Sequence, residues 1–243
     1  MTDAGKRARL ALGLAVVVAL AAHPPTGVAE DSFWTTLLRV TGISASPRQQ
    51  RSGDGERVAG ELWLVPATGG AKSRLTRSGR FHSPIFLPGD RSVLALQEDR
   101  LARVDVANGT VEDLGPLPGV VKLVGVTRGN PNELAVLSVA GGRLHVELLD
   151  RTSGRQTIVP HDLKNDQDRL MLAYVAGEER DYGGVRVFVE DQSTSYRQLT
   201  DVFIRREGQA AVNLTRGAGV NSRQPALSHD GRLVTYVNVG ELP

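Results

Sequence analysis

Apolar and polar positions alternate along this chain in short runs, and one such run is written four times. LWLVPATGGAKSRLT (62–76), LARVDVANGTVEDLG (101–115), HVELLDRTSGRQTIVP (145–160) and DVFIRREGQAAVNLT (201–215) share an apolar strand, a small-polar turn and a second strand. The turns carry Gly70, Gly109, Gly154 and Gly208, the residue that takes a positive φ without a Cβ penalty. Alternation is strict in VRVFV (185–189) and DVFIRR (201–206), as strands with one buried face require. Recurrence at about 40–50 residues, with four strands per unit, predicts the blades of a β-propeller.

A second element recurs between the hairpins. LTRSGRFHSPIFLPGDRSVLAL (75–96) matches LTRGAGVNSRQPALSHDGRLVTYV (214–237). In each, Leu-Thr-Arg opens the segment and a Pro (Pro84, Pro225) is placed to begin a strand, where no ladder donor is needed. A turn follows at Gly89-Asp90 and at Asp230-Gly231. This pattern resembles the TolB-type, WD40-like propeller repeat, marked by Leu-Thr, a Pro, an aromatic, Ser-Pro-Asp-Gly and an alternating strand. The copy from Asp201 to Val237 is nearest to it, with Leu227 for the aromatic and Ser-His-Asp-Gly for the turn. The resemblance spans roughly residues 60–240 and implies an all-β fold. TolB itself carries a full α/β domain ahead of its propeller, and residues 30–59 are too short for one.

The expected strands form an opening pair at 61–65 and 72–75 and a first blade near 85–87, 92–97, 101–105 and 110–113. A second blade uses 120–126, 133–138, 143–149 and 155–159; a third uses 169–175, 184–190, 199–205 and 209–214. A closing pair falls at 225–228 and 232–237. The fold predicted for residues 60–243 is thus three full blades plus two complementary half-blades. Joined, the halves make a four-bladed ring; left apart, they belong to a larger propeller, and the higher blade number of TolB-like proteins favours an incomplete ring.

The first 29 residues read as a secretory signal peptide. Lys6, Arg7 and Arg9 precede the apolar run Leu10–Ala22, and Gly27 and Ala29 suit cleavage before Glu30. Thirteen apolar residues are short of the about 20 that span a bilayer. Residues 30–59 read as a short helix, with Phe33, Trp34, Leu37 and Leu38 on one face after the cap at Asp31-Ser32, and a polar linker. Of the 29 basic and 27 acidic residues, the leader holds three and one, leaving 26 of each. A neutral mature chain argues against a nucleic-acid partner. A periplasmic or extracellular location follows, with no membrane span after processing.

Chemistry is sparse. With no Cys among 243 residues, disulfides, thiolate catalysis and cysteine zinc sites are excluded. Nucleophile elbow, H-E-x-x-H and P-loop motifs are absent. His82, His145, His161 and His229 lack partners at metal-ligand spacing, and His145 alternates with Glu147 on an expected solvent face. Asp90 and Asp230 fit turn chemistry, Glu190 and Asp191 a strand exit, and GEERDYGG (177–184) a solvated loop. No catalytic residue, metal or cofactor is therefore expected.

Propeller geometry instead gathers the segments between blades at one mouth of the channel. These are 77–83, 115–119, 160–168 and 216–224, with the link 191–197. Their reaching side chains, Arg80, His82, His161, Asp162, Tyr196, Arg216 and Arg223, are the expected binding residues. The function expected is non-catalytic binding of a protein or cell-envelope glycan. One alternative is the propeller portion of a hydrolase, such as a serine peptidase, whose catalytic domain lies outside this chain. A degenerate segment without independent activity is the other.

Overall fold

The computed structural model describes residues 59–77, 79–193, 199–217 and 221–240. The leader, the short helix and most of the linker, together with Tyr196, lie outside them. Within them, sixteen strands form four four-stranded antiparallel sheets arranged as a four-bladed β-propeller.

Blade one is β3 (Phe81–Phe86), β4 (Ser92–Gln97), β5 (Arg100–Asp105) and β6 (Val111–Pro116), from the channel outward. Blade two is β7 (Val120–Thr127), β8 (Asn130–Ala140), β9 (Arg143–Asp150) and β10 (Gln156–Ile158). Blade three is β11 (Arg180–Asp181), β12 (Val185–Asp191), β13 (Thr200–Arg206) and β14 (Val212–Asn213). The fourth is composite: β15 (Ser222–Leu227) and β16 (Leu233–Asn238) from one end of the sequence join β1 (Glu61–Pro66) and β2 (Ser73–Arg74) from the other. β1 and β16 pair over six residues, from Glu61 opposite Asn238 to Pro66 opposite Leu233. The two half-blades therefore complete one another as a single fourth blade, which makes four in all.

Alternation along each strand explains how blades cohere. In β16, Val234 and Tyr236 enter the core shared with Val187, Val202 and Ile204 of blade three. Val237, on the other face, joins Phe81, Val93 and Val104 of blade one. A sheet with two apolar faces must be covered on both sides, which a ring of blades achieves. Gly109 contributes at one of these joints: its φ is +71°, and a Cβ there would lie 2.1 Å from the Leu75 carbonyl oxygen of blade four. Neither the turn nor the close approach admits a larger residue.

The recurring Leu-Thr acquires a physical meaning. Leu75 and Leu214 are buried, and their backbone N–H groups donate to the carbonyls of Leu62 and Val202, both at 2.8 Å. The next residue folds its hydroxyl inward. Thr76 Oγ1 accepts from the Leu62 N–H, and Thr215 Oγ1 from the Val202 N–H, each at 2.9 Å. The threonine hydroxyl thus replaces a ladder partner where the outer strand ends. Thr215→Val should leave the buried Val202 N–H unpaired and cost about 1–3 kcal/mol, whereas Thr215→Ser should cost less. Urea unfolding of the three proteins measures this.

One expected strand is a helix. Residues 169–175 lie in α1 (Asp166–Ala176), capped by the Asn165 side chain, which accepts from the Gln167 N–H at 2.9 Å. Asp166 and Asp168 occupy its first turn, where the helix dipole favours negative charge. Met171, Leu172 and Val175 pack against Val124, Ala135 and Val146 of blade two. The helix thus supplies apolar cover that a long inner strand of blade three would have provided, and β11 is only two residues long. Among the described residues, no helix is long and apolar enough to cross a membrane.

Candidate functional site

The channel is framed by the four innermost strands, β3, β7, β11 and β15. All are reached from the outer strand of the preceding blade, so their first residues mark one mouth and the turns that follow them mark the other. Two of the four share an unusual backbone. Ser83 and Gln224 have φ values of +53° and +51°, each followed by a proline, and each lies at a register shift in its sheet. Pro84 and Pro225 therefore sit within bulges rather than at strand starts. A left-handed conformation at a residue with a side chain costs about 1–2 kcal/mol. Part of the compensation is local, since the Gln224 side-chain oxygen accepts the Ser83 N–H at 2.7 Å.

Between these bulges and the opposite strands is a cavity lined by Ser83, Pro84, Lys122, Leu123, Glu178, Arg180, Gln224 and Pro225. It has room for about one water-sized group and opens partly to solvent. Lys122 Nζ donates to the carbonyl of Ala176 at 3.1 Å and also to that of Gly177, which caps the C-terminus of α1 with a cation. Arg180 is buried, and its Nη1 donates to the carbonyls of Gly177 and Glu179 at 3.0 and 3.1 Å. Glu178 is held by Arg223, with Nε 3.0 Å from one carboxylate oxygen and 3.3 Å from the other. Glu179 is paired with Arg186 at 2.5 Å.

Enclosure shifts the ionisation of these groups. Burial, followed by the charge of Arg180, pushes the Lys122 amine well below the usual lysine range, with Glu178 acting weakly in the opposite sense. The Arg180 guanidinium is lowered by burial as well. The Tyr182 phenol, whose oxygen accepts the Leu227 N–H at 3.3 Å, is pushed up by burial and held back by Arg180. Lys122 keeps partial access to the channel.

The residues expected to bind are distributed unevenly around this centre. Arg223 reaches the channel through Glu178, and Arg80 is exposed immediately before β3. His82 does not reach outward: it is 3% exposed within β3, its Nδ1 3.4 Å from Ser83 Oγ and its Nε2 3.3 Å from the Glu98 carbonyl. His161 is half-buried, with Nδ1 3.1 Å from the Val159 carbonyl and its ring edge-on to His145 at 5.5 Å. Asp162 shapes the turn into α1, donating its N–H to Asp168 Oδ2 at 2.7 Å and accepting the Lys164 N–H at 2.9 Å. Arg216 is exposed, and its carbonyl accepts from Lys72 Nζ at 3.0 Å.

Three sequence readings change. Within 177–184, Glu178 and Arg180 line the channel and Arg180–Asp181 form the inner strand, while Gly183-Gly184 remains an exposed turn. Glu147 is buried and accepts from Ser138 Oγ at 2.5 Å, so the face it shares with His145 is not a solvent face. At the opposite mouth, Asp90 does more than form its own turn. Its carboxylate accepts the backbone N–H groups of His229 and Asp230 at 2.8 and 2.9 Å and lies 2.9 Å from His229 Nδ1, which ties blade one to blade four. Among the described residues, no group of three His, Asp or Glu side chains is placed to hold a metal.

No protein-family model matches the chain, and a search of curated proteins gives no match. Among solved structures, it is similar to a TolB protein of Agrobacterium tumefaciens at 15% identity and a TM-score of 0.34, over 73% of this chain and 61% of that one. A TolB protein of Acinetobacter baumannii gives 14% identity and a TM-score of 0.33, over 72% and 46% of the respective chains. The isopeptidase AtxE2, without ligand, gives 14% identity and a TM-score of 0.26, over 65% and 30%. The chain thus spans less than two thirds of the length of these proteins.

Proposed function

We propose that this propeller is an exported, non-catalytic binding module that engages a protein partner through the mouth where the inner strands begin. The observation that carries this reading is the convergence of four inter-blade segments on a channel whose lining holds charged side chains, while the opposite mouth is tied down by the Asp90 contacts. Loops fixed by a rigid scaffold can vary in sequence without loss of fold, which is why binding so often resides on them. Most apolar residues of the blades are used in the cores, so recognition at this mouth would rest mainly on polar and charged contacts such as Arg80 and Arg223, beside the exposed Leu163. Long-range attraction would be weak for a neutral mature chain, and selectivity would come from placement of these few charges.

The test is retention of cell-envelope proteins by the immobilised chain, compared between the wild type and variants at the mouth. Arg80→Ala and His161→Ala should reduce recovery of the retained protein while shifting stability by no more than about 0.5 kcal/mol. Equal recovery by the folded double variant would remove the mouth from the account. Retention of polysaccharide alone would transfer the role to a cell-envelope glycan.

A further inference from the structure

We propose that the groove between the outer strands of blades three and four docks a short acidic segment of another protein. Strand register shows where this seam opens. Ile204 of β13 and Val212 of β14 are directly opposite and share the face turned to blade four. Ile204 is 1% exposed and Val212 is 44% exposed, so the seam is closed at the third strand and open at the outermost one. On the facing blade, Trp63 of β1 and Arg74 of β2 are opposite in the same way, and Trp63 packs against the core that holds Ile204. Val212 and the half-buried Trp63 thus give the groove an apolar floor.

Its flanks are cationic. Lys72 Nζ donates across the seam to the Arg216 carbonyl at 3.0 Å, and Arg206 Nη1 to the Ala67 carbonyl at 3.4 Å. Both cations end on neutral carbonyls. Arg74 is paired with Glu61 and also donates to the Arg77 carbonyl at 2.8 Å. Arg77 and Arg216 are equivalent, each following a Leu-Thr that ends an outer strand, and both are exposed. Among the described residues, no carboxylate meets either side chain. Positive charge is therefore concentrated along one strip of a chain whose mature net charge is neutral. Guanidinium forks match carboxylates through two parallel bonds. Each exposed pair contributes little alone, so several must act together, as an extended segment allows. A flat anionic membrane fits less well, because Asp162, Asp166, Glu190 and Asp191 are exposed toward the same mouth and would repel it. The groove lies outside the channel, and the proposal stands whether or not the channel mouth binds.

The test is fluorescence anisotropy of the intact chain with a short fluorescein-labelled peptide of repeating Glu-Leu-Asp units, beside its Gln-Leu-Asn analogue. The acidic peptide should bind saturably and more weakly as salt rises, and the neutral analogue should stay free. Arg216→Glu and Lys72→Glu should each weaken binding on the order of fivefold, and Arg155→Glu, on an exposed turn of blade two, by less than about twofold. His161→Ala should leave it unchanged, which separates failure of this groove from failure of the mouth. In the wild type, the Val212 methyl resonances should shift with peptide at the same midpoint, and those of Leu170, exposed on α1, should not. That measurement decides the case even if a charge-reversed variant does not fold. Equal binding of the neutral analogue, charge reversals without effect, or unmoved Val212 methyls would overturn the proposal. Capture of phosphatidylglycerol vesicles that the same variants abolish, with the acidic peptide left free, would also overturn it and assign the strip to a lipid surface.

Discussion

Truncation of the chain after Gln224 is expected to abolish cooperative unfolding and to promote aggregation. The segment removed includes β16, whose Val234, Thr235, Tyr236 and Val237 are fully buried. Because alternate residues serve different neighbours, two inter-blade cores would open at once: the one with blade three and the one with blade one. β1 would lose its six-residue partner and expose an apolar edge, a template for pairing with other chains. A milder version is Tyr236→Ala, for which loss of a fully buried aromatic should cost about 3–5 kcal/mol. Against a typical net stability of about 5–15 kcal/mol, that is a large share. Urea unfolding, followed by Trp63 fluorescence and circular dichroism, with light scattering for association, measures both variants. A truncated monomer with an unchanged transition would mean that β16 does not close the ring.

Asp90→Ala should give the next largest loss, about 2–4 kcal/mol. Its carboxylate accepts two backbone N–H groups from the neighbouring blade, and charge-assisted bonds are worth about 1.5–3 kcal/mol each before non-additivity. Asp90 also sits at φ +57°, a conformation that Ala adopts with strain. Asp90→Asn, which tolerates that conformation and keeps one acceptor, should lose roughly half as much. Denaturation midpoints of the three proteins provide the check. A change below about 0.5 kcal/mol for Asp90→Ala would reduce the inter-blade contact to an ordinary surface interaction.

The sequence disclosed blades more readily than it disclosed their inner surface. Hairpins such as 62–76 and 201–215 announce themselves because period-two burial and turn glycines are local features. The composite fourth blade was inferable from two complementary half-sets of strands, although whether they met was a question of long-range pairing. α1 escaped because LMLAYV satisfies a strand pattern over six residues, and its helical signals lie upstream, in the Asn165 cap and the acidic first turn. The channel residues escaped for a different reason. Lys122 and Arg180 look like ordinary charged residues until the order of strands in each sheet makes β7 and β11 innermost. Pro84 and Pro225 were the available clue: two prolines at matching repeat positions coincide with matching bulges at the channel wall. His82 illustrates the converse, since β3 begins at Phe81 rather than near residue 85 and so turns a loop side chain into a buried one.

The account rests on which mouth meets the partner, and hydrogen exchange of the intact chain bound to its retained protein measures this directly. Slowed exchange is predicted at residues 79–80, 117–119, 161–165 and 221–224, where inner strands are approached. Protection confined to the turns at 87–91 and 228–232, with those segments unchanged, would place binding on the opposite face and contradict the account.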